Sequence, residues 1–305
     1  MAKPDWIAVD WGTSNLRVWG MADAGDPLFD RQAERGMSRL APGEFPFVLA
    51  EILSEADASG DLDVFVSGMA GARQGWVEAP YLDLPADLAV LGRQTVPAPA
   101  PGHAFHARIV PGVCRRVIGR EDVMRGEETQ LLGVATLRPG FAGLVVKAGT
   151  HSKWSRLDGM RLLDFSTSMT GELYATLSAH TVLRHSLAGE EIGPATEDGI
   201  STGLDAGMSD PGRLAESLFR TRAASLLSSR GSDWCHGYLS GLLVGAEIGG
   251  RSNDLEGEEV LLMGGARMVR LYGAALARLG IVAGTIDETE ATLAGLVAIR
   301  EQHAG

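Results

Sequence analysis

Two hydrophobic rhythms run along the chain. Apolar residues are almost unbroken through 6–10 and 16–21, with a weaker run at 27–32, which predicts three strands. Over 45–58, Phe47, Val48, Ile52, Leu53 and Ala56 recur near the helical period and predict a helix. Residues 63–67 read as a buried strand ending in Gly68-Met69-Ala70-Gly71. The stretch 76–112 carries Pro80, Pro85, Pro97, Pro99, Pro101 and Pro111 and reads as irregular chain with one or two short strands. It is not read as disordered, because Trp76, Tyr81, Phe105 and Ile109 need burial. A helical pattern follows over 128–137.

The second half is more helical. After a strand at 144–146, one helix is predicted over 168–187, another over 213–228, and a third over 234–249, gently broken by Gly237, Gly241 and Gly245. A strand at 258–263 leads through Gly264-Gly265 to a helix over 266–279 with the stripe Met268, Leu271, Ala275, Leu279. A short strand at 281–283 and a final helix at 288–302 complete the pattern. Strands alternating with helices predict, in each half, a mostly parallel or mixed sheet covered by helices.

One short pattern occurs twice. The first strand runs through Asp10 into Trp11-Gly12-Thr13-Ser14-Asn15, and the strand at 144–146 runs into Gly149-Thr150-His151-Ser152. Each reads as strand, Gly-Thr turn, strand. Glycine permits the tight turn and lets backbone N–H groups approach a ligand closely. Such a turn can hold phosphate oxygens. Two copies point to two half-domains serving one ATP cleft.

Composition narrows this. At 305 residues, with 45% hydrophobic and 22% charged residues, the chain is a globular protein long enough for two domains. A net charge of −12 argues against nucleic acid and anionic membranes as partners. No apolar run approaches a membrane span, and no signal segment is recognised at Met1-Ala2-Lys3, so a cytoplasmic enzyme is expected. The two cysteines, Cys114 and Cys235, have no metal-ligand spacing and read as reduced and structural. Of the three lysines, Lys147 and Lys153 flank the second hairpin; this is either functional placement or a by-product of an arginine-rich composition.

Four segments carry candidate chemistry. Asp10, a strand-end acid that could equally be a turn former, precedes Gly12-Thr13-Ser14 and resembles the D-x-G-T-[ST] phosphate loop of the sugar kinase, Hsp70 and actin superfamily. The resemblance implies that Asp10 organises Mg2+, through water, a role suited to a cation that keeps its hydration. Gly149, Thr150, His151 and Ser152 match the second phosphate loop, although an ordinary hairpin would read the same way. Gly264, Gly265 and Ala266, between strand and helix, resemble the adenosine motif, although packing alone also produces strand-Gly-Gly-helix. Glu127 and Glu128, in Arg125-Gly126-Glu127-Glu128-Thr129-Gln130, stand where the superfamily's sugar kinases carry the acid that takes the proton of the attacking hydroxyl. Acids also suit a helix start, so one glutamate can cap while the other faces substrate; the sequence leaves open which.

The words around these residues are longer than any turn signature. The segments 7–17, 67–71, 122–130, 149–154, 167–173 and 238–247 together resemble the 2-dehydro-3-deoxygalactonokinase family over essentially the whole chain. The resemblance implies two actin-like (ribonuclease H-like) α/β domains flanking an ATP cleft. These would be 1–134, carrying the first hairpin and the sugar-acid pocket, and 135–287, carrying the second hairpin and adenosine motif, with 288–305 packing back on the first. It also implies ATP- and Mg2+-dependent phosphorylation of a small sugar acid at its terminal hydroxyl. The acid end of such a substrate calls for arginine; Arg17, Arg73 and Arg125 lie in the motif segments, and Asn15, Gln74 and Trp76 are further candidates for lining the pocket. Two other readings stay open, a kinase of this fold for another sugar or sugar acid, and a nucleotide-dependent sugar sensor that transfers no phosphate. A homo-oligomer is also left open.

Overall fold

A computed structural model describes residues 3–305; Met1-Ala2, where the signal-segment expectation begins, lies outside them. The first stretch of chain forms β1 (Trp6–Trp11), β2 (Leu16–Met21), β3 (Pro27–Ala33), α1 (Phe45–Glu55), β4 (Asp63–Gly68), β5 (Tyr81–Asp83), β6 (Ala86–Asp87), β7 (Val96–Ala98), β8 (His106–Ile109), β9 (Gly112–Arg115), β10 (Asp122–Met124) and α2 (Glu127–Leu137). The remainder forms β11 (Ala142–Ala148), β12 (Ser152–Asp158), β13 (Arg161–Ser168), α3 (Thr170–His180), α4 (Thr196–Ser209), α5 (Leu214–Leu227), α6 (Ser232–Gly249), β14 (Val260–Gly264), α7 (Ala266–Arg278), β15 (Gly284–Thr285) and α8 (Glu288–Ala304). The chain divides into two compact α/β units. Unit 1 holds the residues through Ala142, 155–165 and 286–305; unit 2 holds 143–154 and 166–285. No helix among the described residues is long and apolar enough to cross a membrane.

In unit 1 a six-stranded sheet runs β3-β2-β1-β4-β8-β7. β1 to β3 form an antiparallel meander, and β4 and β8 continue parallel to β1. β1 is covered by α1 on one face and by α8 on the other, hence its unbroken apolar run. Its alternate residues serve two layers. Ile7, Val9 and Trp11 join Leu49 and Ile52 of α1 in one core cluster, where the Trp11 and Phe45 rings lie 4.7 Å apart. On the other side Arg300 of α8 lies over Trp6 at 5.3 Å, and His303 meets Phe65 at 5.6 Å.

Also in unit 1, α2 and α8 pack against each other at glycines. A Cβ on Gly133 would fall 1.7 Å from the Ala291 carbonyl oxygen, and one on Gly295 would fall 2.0 Å from that of Thr129. The two backbones therefore touch, and α8 fixes where α2 begins.

In unit 2, β14 lies between β15 and β11 and runs parallel to both. Leu144 and Val146 pack with Leu262, Leu271 and Tyr272 beneath α7. Against these helices stands a second glycine contact. On Gly199, Gly203 and Gly207 of α4, a Cβ would come 2.3, 2.2 and 2.4 Å from the carbonyl oxygens of Trp234, Tyr238 and Leu242. On α6, Gly237, Gly241 and Gly245 meet Thr196, Ile200 and Leu204 in the same way, at 2.3, 2.3 and 2.7 Å. The interface is reciprocal, with each helix supplying glycines for the other's carbonyls.

This contact explains two differences from the sequence reading. α6 is one continuous helix, because its glycines form a contact face instead of a break. α4 was not anticipated, since glycine at every fourth position costs a helix about 1 kcal/mol per residue and locally argues against one. Three further differences appear in the second half. Residues 161–168 form β13, an unanticipated strand in which only Leu162 and Phe165 are buried. The helix expected over 168–187 is shortened to α3, followed by a 3-10 turn at 182–185. The short strand falls at 284–285 in place of 281–283.

The α4–α6 contact makes a definite demand. Gly241→Ala should cost roughly 1–3 kcal/mol through overpacking, lowering the melting midpoint by about 2–4 °C for each of these. Gly43→Ala, whose Cβ would meet nothing within 4 Å, is the matched control and should melt like the unaltered protein. Equal melting curves for the two variants in scanning calorimetry would remove the interface from its role.

Candidate active site

The first hairpin is closed from behind. Gly12 donates its N–H to the Asn15 carbonyl at 2.9 Å, which turns the chain between β1 and β2. The carbonyls of Gly12, Thr13 and Ser14 accept N–H bonds from Met37, Ser38 and Gly36, each at 3.0 Å. The Ser38 hydroxyl adds a bond to Thr13 O at 2.8 Å, and Trp11 Nε1 donates to Arg35 O at 2.9 Å. Residues 35–38 thus form a strap behind the loop. The N–H groups of Thr13, Ser14 and Asn15 donate to no group among the described residues, and all three residues are exposed. Nothing in the strap's composition signals this role except Gly36, which the sequence reading passed over.

Beside the hairpin, the C-terminal ends of β1 and β4 gather the acids. Register pairs Asp10 with Ser67 on β4 and with Arg17 on β2, so the three side chains share one face of the sheet. Ser67 Oγ donates to Thr129 Oγ1 at 2.7 Å, tying this face to the first turn of α2. Between them lies Gly68, at φ +93°; a Cβ there would stand 3.4 Å from Asp10 Oδ1 and 2.6 Å from Trp11 O. Gly126 leans on it from the other side, its own Cβ position only 3.3 Å from Gly68 Cα. Two glycines in a conformation closed to other residues let the acid-bearing turn reach the strand ends.

The two glutamates of that turn sit differently. Glu128 is fully buried and accepts the Gly126 N–H with both oxygens, at 2.9 and 2.8 Å. Burial, reinforced by the negative charge of Glu127, pushes its carboxyl up to about 7, against the pull of main-chain N–H groups and Arg125. Glu127 is half-buried, and its Oε2 accepts the Arg125 N–H at 3.1 Å. Glu128 therefore serves as the internal cap, and Glu127 is the acid within reach of solvent. One turn further along, Gln130 Nε2 donates to Glu288 at 3.2 Å and Thr292 at 3.3 Å of α8.

The other residues singled out in this unit divide by burial. Arg17 is half-buried and donates to Thr289 at the start of α8 at 3.3 Å. Arg73 and Gln74 are exposed in the loop after β4. Trp76 belongs to the core, packed on Phe45 and Trp11, with Nε1 donating to Pro99 O at 2.9 Å. Arg125 is buried, lies over the Tyr81 ring at 4.3 Å and donates to Ala79 O at 2.8 Å, while its Nε and one terminal nitrogen lack partners.

In unit 2 the second hairpin, between β11 and β12, rests on the first turn of α3. Thr150 O accepts the Glu172 N–H at 3.0 Å, and His151 pairs with the Glu172 carboxylate. Gly149, Thr150 and His151 donate no main-chain N–H to the described residues. Ser152 turns inward. It is buried and shares a hydrogen bond with Tyr272 at 2.6 Å. Tyr272 in turn donates to Glu247 at 2.7 Å. Trp154 Nε1, at 2.5 Å, and the Thr170 hydroxyl also donate to Glu247. This carboxylate, which the sequence reading did not single out, ties β12, α3, α6 and α7 together.

Gly264, at φ +136°, ends β14, where a Cβ would lie 2.3 Å from Ala148 O; Gly265 and Ala266 open α7. Next to them is a cavity of about 100 Å³ whose walls include Gly171, Tyr174, Leu243, Val244, Arg267 and Met268. Arg267 pairs with Glu191 and holds that carboxyl below its ordinary range. Tyr174 O–H shares a hydrogen bond with His236 Nδ1 at 2.7 Å. An apolar slot with one arginine among its walls has the form of a site for a flat, hydrogen-bonding ring. Tyr174 and Met268 were invisible as wall residues in the sequence, since they come from different helices.

No group of three or more His, Cys, Asp or Glu side chains among the described residues could cage a metal ion. A single half-buried carboxylate, Asp10, beside a loop with uncommitted N–H groups fits a cation held mostly by water and phosphate oxygens.

Comparison with known proteins adds independent findings. The family model described as 2-keto-3-deoxy-galactonokinase matches residues 10–299. A Rhizobium meliloti (strain 1021) protein named probable 2-dehydro-3-deoxygalactonokinase is 39% identical over 96% of this chain and 95% of its own length. The Escherichia coli (strain K12) 2-dehydro-3-deoxygalactonokinase is 34% identical over 96% of this chain and 97% of its own. A crystal structure from Sinorhizobium meliloti, described as a 2-dehydro-3-deoxygalactonokinase protein, superposes with a TM-score of 0.90 at 38% identity, covering 96% of this chain and 97% of that one. Component A of the (R)-2-hydroxyglutaryl-CoA dehydratase of Acidaminococcus fermentans shares the fold at a TM-score of 0.53 and 12% identity, covering 98% and 99%.

The burial of Glu128 sets a pH dependence for stability. Its carboxyl keeps its proton to about 7 in the folded chain but loses it near 4.5 when unfolded. The folded state therefore gains from this group fully below about 4.5, and the gain is lost as pH rises to about 7. Glu128→Gln cannot ionise. In urea denaturation at pH 5 and pH 8, its midpoint relative to the unaltered protein should move upward at the higher pH. A difference that stays constant across pH would contradict the assigned burial.

Proposed function

The chain belongs to the 2-keto-3-deoxy-galactonokinase family, and on that premise we propose that it transfers the terminal phosphoryl group of ATP to the 6-hydroxyl of 2-dehydro-3-deoxy-galactonate. The observation that carries the mechanism is the acid pair on the first turn of α2, one member buried and one within reach of solvent, beside the strand end that bears Asp10.

ATP supplies a phosphoryl group that leaves its ADP oxygen as the bond to the sugar-acid oxygen forms. Glu127 accepts the hydroxyl proton during that step. Glu128, tied to the Gly126 N–H and pushed up to about 7 by burial, caps the turn that presents Glu127. Asp10 would hold Mg2+ through water. The outward N–H groups of the Gly12–Asn15 loop and of Gly149, Thr150 and His151 bind phosphate oxygens. The slot walled by Tyr174 and Met268, beside Gly264-Gly265-Ala266, takes the adenine and ribose.

For the carboxylate of the substrate, Arg17 and Arg73 are the suitable arms. Arg17 shares the sheet face of Asp10, and Arg73 is exposed in the loop after β4, where a planar guanidinium can make a paired hydrogen bond. Arg125, by contrast, is buried over the Tyr81 ring, donates to Ala79 O and supports the acid-bearing turn from within. In this reading unit 1 is the sugar-acid half and unit 2 the nucleoside half of a cytoplasmic enzyme whose partner is a small molecule.

The test is ADP release measured with 2-dehydro-3-deoxy-galactonate and its gluconate epimer. Glu127→Gln should lower kcat by about 10²–10⁴-fold with nucleotide affinity unchanged, and more severely than Glu128→Gln. Wild-type turnover in Glu127→Gln would overturn the assignment of the base; no ADP release by the unaltered enzyme with either epimer would overturn the substrate.

A further inference from the structure

The two Gly-Thr hairpins are backed by unrelated segments that do the same thing. Behind the first is the strap 35–38, which follows β3; behind the second is the first turn of α3. In each case a main-chain N–H takes the carbonyl of the hairpin threonine, Ser38 to Thr13 O and Glu172 to Thr150 O, both at 3.0 Å. In each case a glycine presses against the hairpin backbone. A Cβ on Gly36 would fall 2.3 Å from Thr13 O and from the Ser14 carbonyl carbon, and one on Gly171 would fall 2.5 Å from Gly149 O and 2.8 Å from Thr150 Cα. Neither glycine has a left-handed φ in this structure, so it is space and not backbone conformation that demands glycine there.

Peptide planarity gives this backing a consequence for the opposite side of each loop. Across a trans peptide the C=O of one residue and the N–H of the next point in opposite directions. Tying the carbonyls of Gly12, Thr13 and Ser14 to the strap therefore turns the N–H groups of Thr13, Ser14 and Asn15 away from it. Tying Thr150 O to α3 does the same for His151 N–H. These are the donors that find no partner among the described residues.

We infer that Gly36 and Gly171 are positioning residues that fix the peptide orientation of the two hairpins, so that each presents its N–H face to the phosphates of a nucleotide. The inference rests on the kinase reading for its ligand alone. A methyl group at either position pushes the backing segment off, frees the carbonyls to rotate, and replaces an array of donors by a mixture of donors and acceptors. At Gly36, which lies apart from the slot beside α7, the loss falls on the charged part of the nucleotide and spares the nucleoside.

The experiment is titration calorimetry of the full chain with ADP, with adenosine as the uncharged comparison. Gly36→Ala should bind ADP about tenfold or more weakly with adenosine affinity unchanged; Gly171→Ala, whose site also walls the slot beside α7, should lose ADP affinity by at least as much. Unchanged ADP affinity in both variants would overturn the inference, and so would equal losses for ADP and adenosine in Gly36→Ala, the mark of general disruption. If Gly36→Ala does not fold, Ser38→Ala deletes only the hydroxyl bond to Thr13 O and should raise KM for ATP by about threefold at constant kcat; an unchanged KM would count against the strap. Failure of the kinase reading would look different, because the unaltered protein would then bind ADP without phosphorylating the sugar acid.

Discussion

The contact on which the rest of unit 1 depends is the glycine crossing of α2 and α8. A helix whose first turn must meet a strand end has to be held along its axis as well as laterally, and ordinary side-chain packing leaves some freedom to slide. Here Gly133 lies on the Ala291 carbonyl and Gly295 on that of Thr129, with no side chain between. The register of α2 is thereby set to within a backbone contact. Its first turn then falls where Thr129 can accept from Ser67, and where Gly126 can rest on Gly68 at the end of β4. Displacing α2 by one residue would separate the acid pair from the strand end that carries Asp10.

Given that placement, the local chemistry follows from burial. The α2 N-terminus offers free N–H groups that favour carboxylates, and Glu128 folds back onto the nearest of them. Doing so takes it out of water, which explains a carboxyl raised to about 7. Its neighbour one position earlier points elsewhere along the helix surface and stays accessible. Two identical side chains on adjacent residues are thus given different environments by helix geometry alone. Unit 2 treats its own hairpin in a related way, with Glu247 gathering Trp154, Thr170 and Tyr272 beneath it.

Much of this architecture was legible in the chain. Each apolar run of the β1–β2 hairpin and of β4 is continuous because its strand is covered on both faces, and α1 and α7 show their periods because each buries one face. The division into two α/β halves followed from the repeated Gly-Thr turn. What could not be read were features whose reason lies far away in sequence. The glycines of α4 look like helix breakers until the carbonyls of α6 are placed against them. Gly36 looks like an ordinary loop residue until Thr13 and Ser14 are seen behind it. The sequence presented Glu127 and Glu128 as equals, because burial depends on where α2 starts, and that is decided by α8. Ser152 reads as one more hydroxyl of a polar turn, yet its strand position directs it to Tyr272.

Unit 1 is drawn from both ends of the described chain, with α8 returning across it after the whole of unit 2. Synthesis on the ribosome runs in one direction, and domains that are contiguous can fold as they emerge. This one cannot be completed in that way. The sheet of unit 1 can form early, but α2 lacks the surface that fixes its register until residues 288–304 have been made. A nascent chain therefore passes through a stage in which the acid-bearing turn exists without its anchor, and α2 gains its register only once α8 has been made.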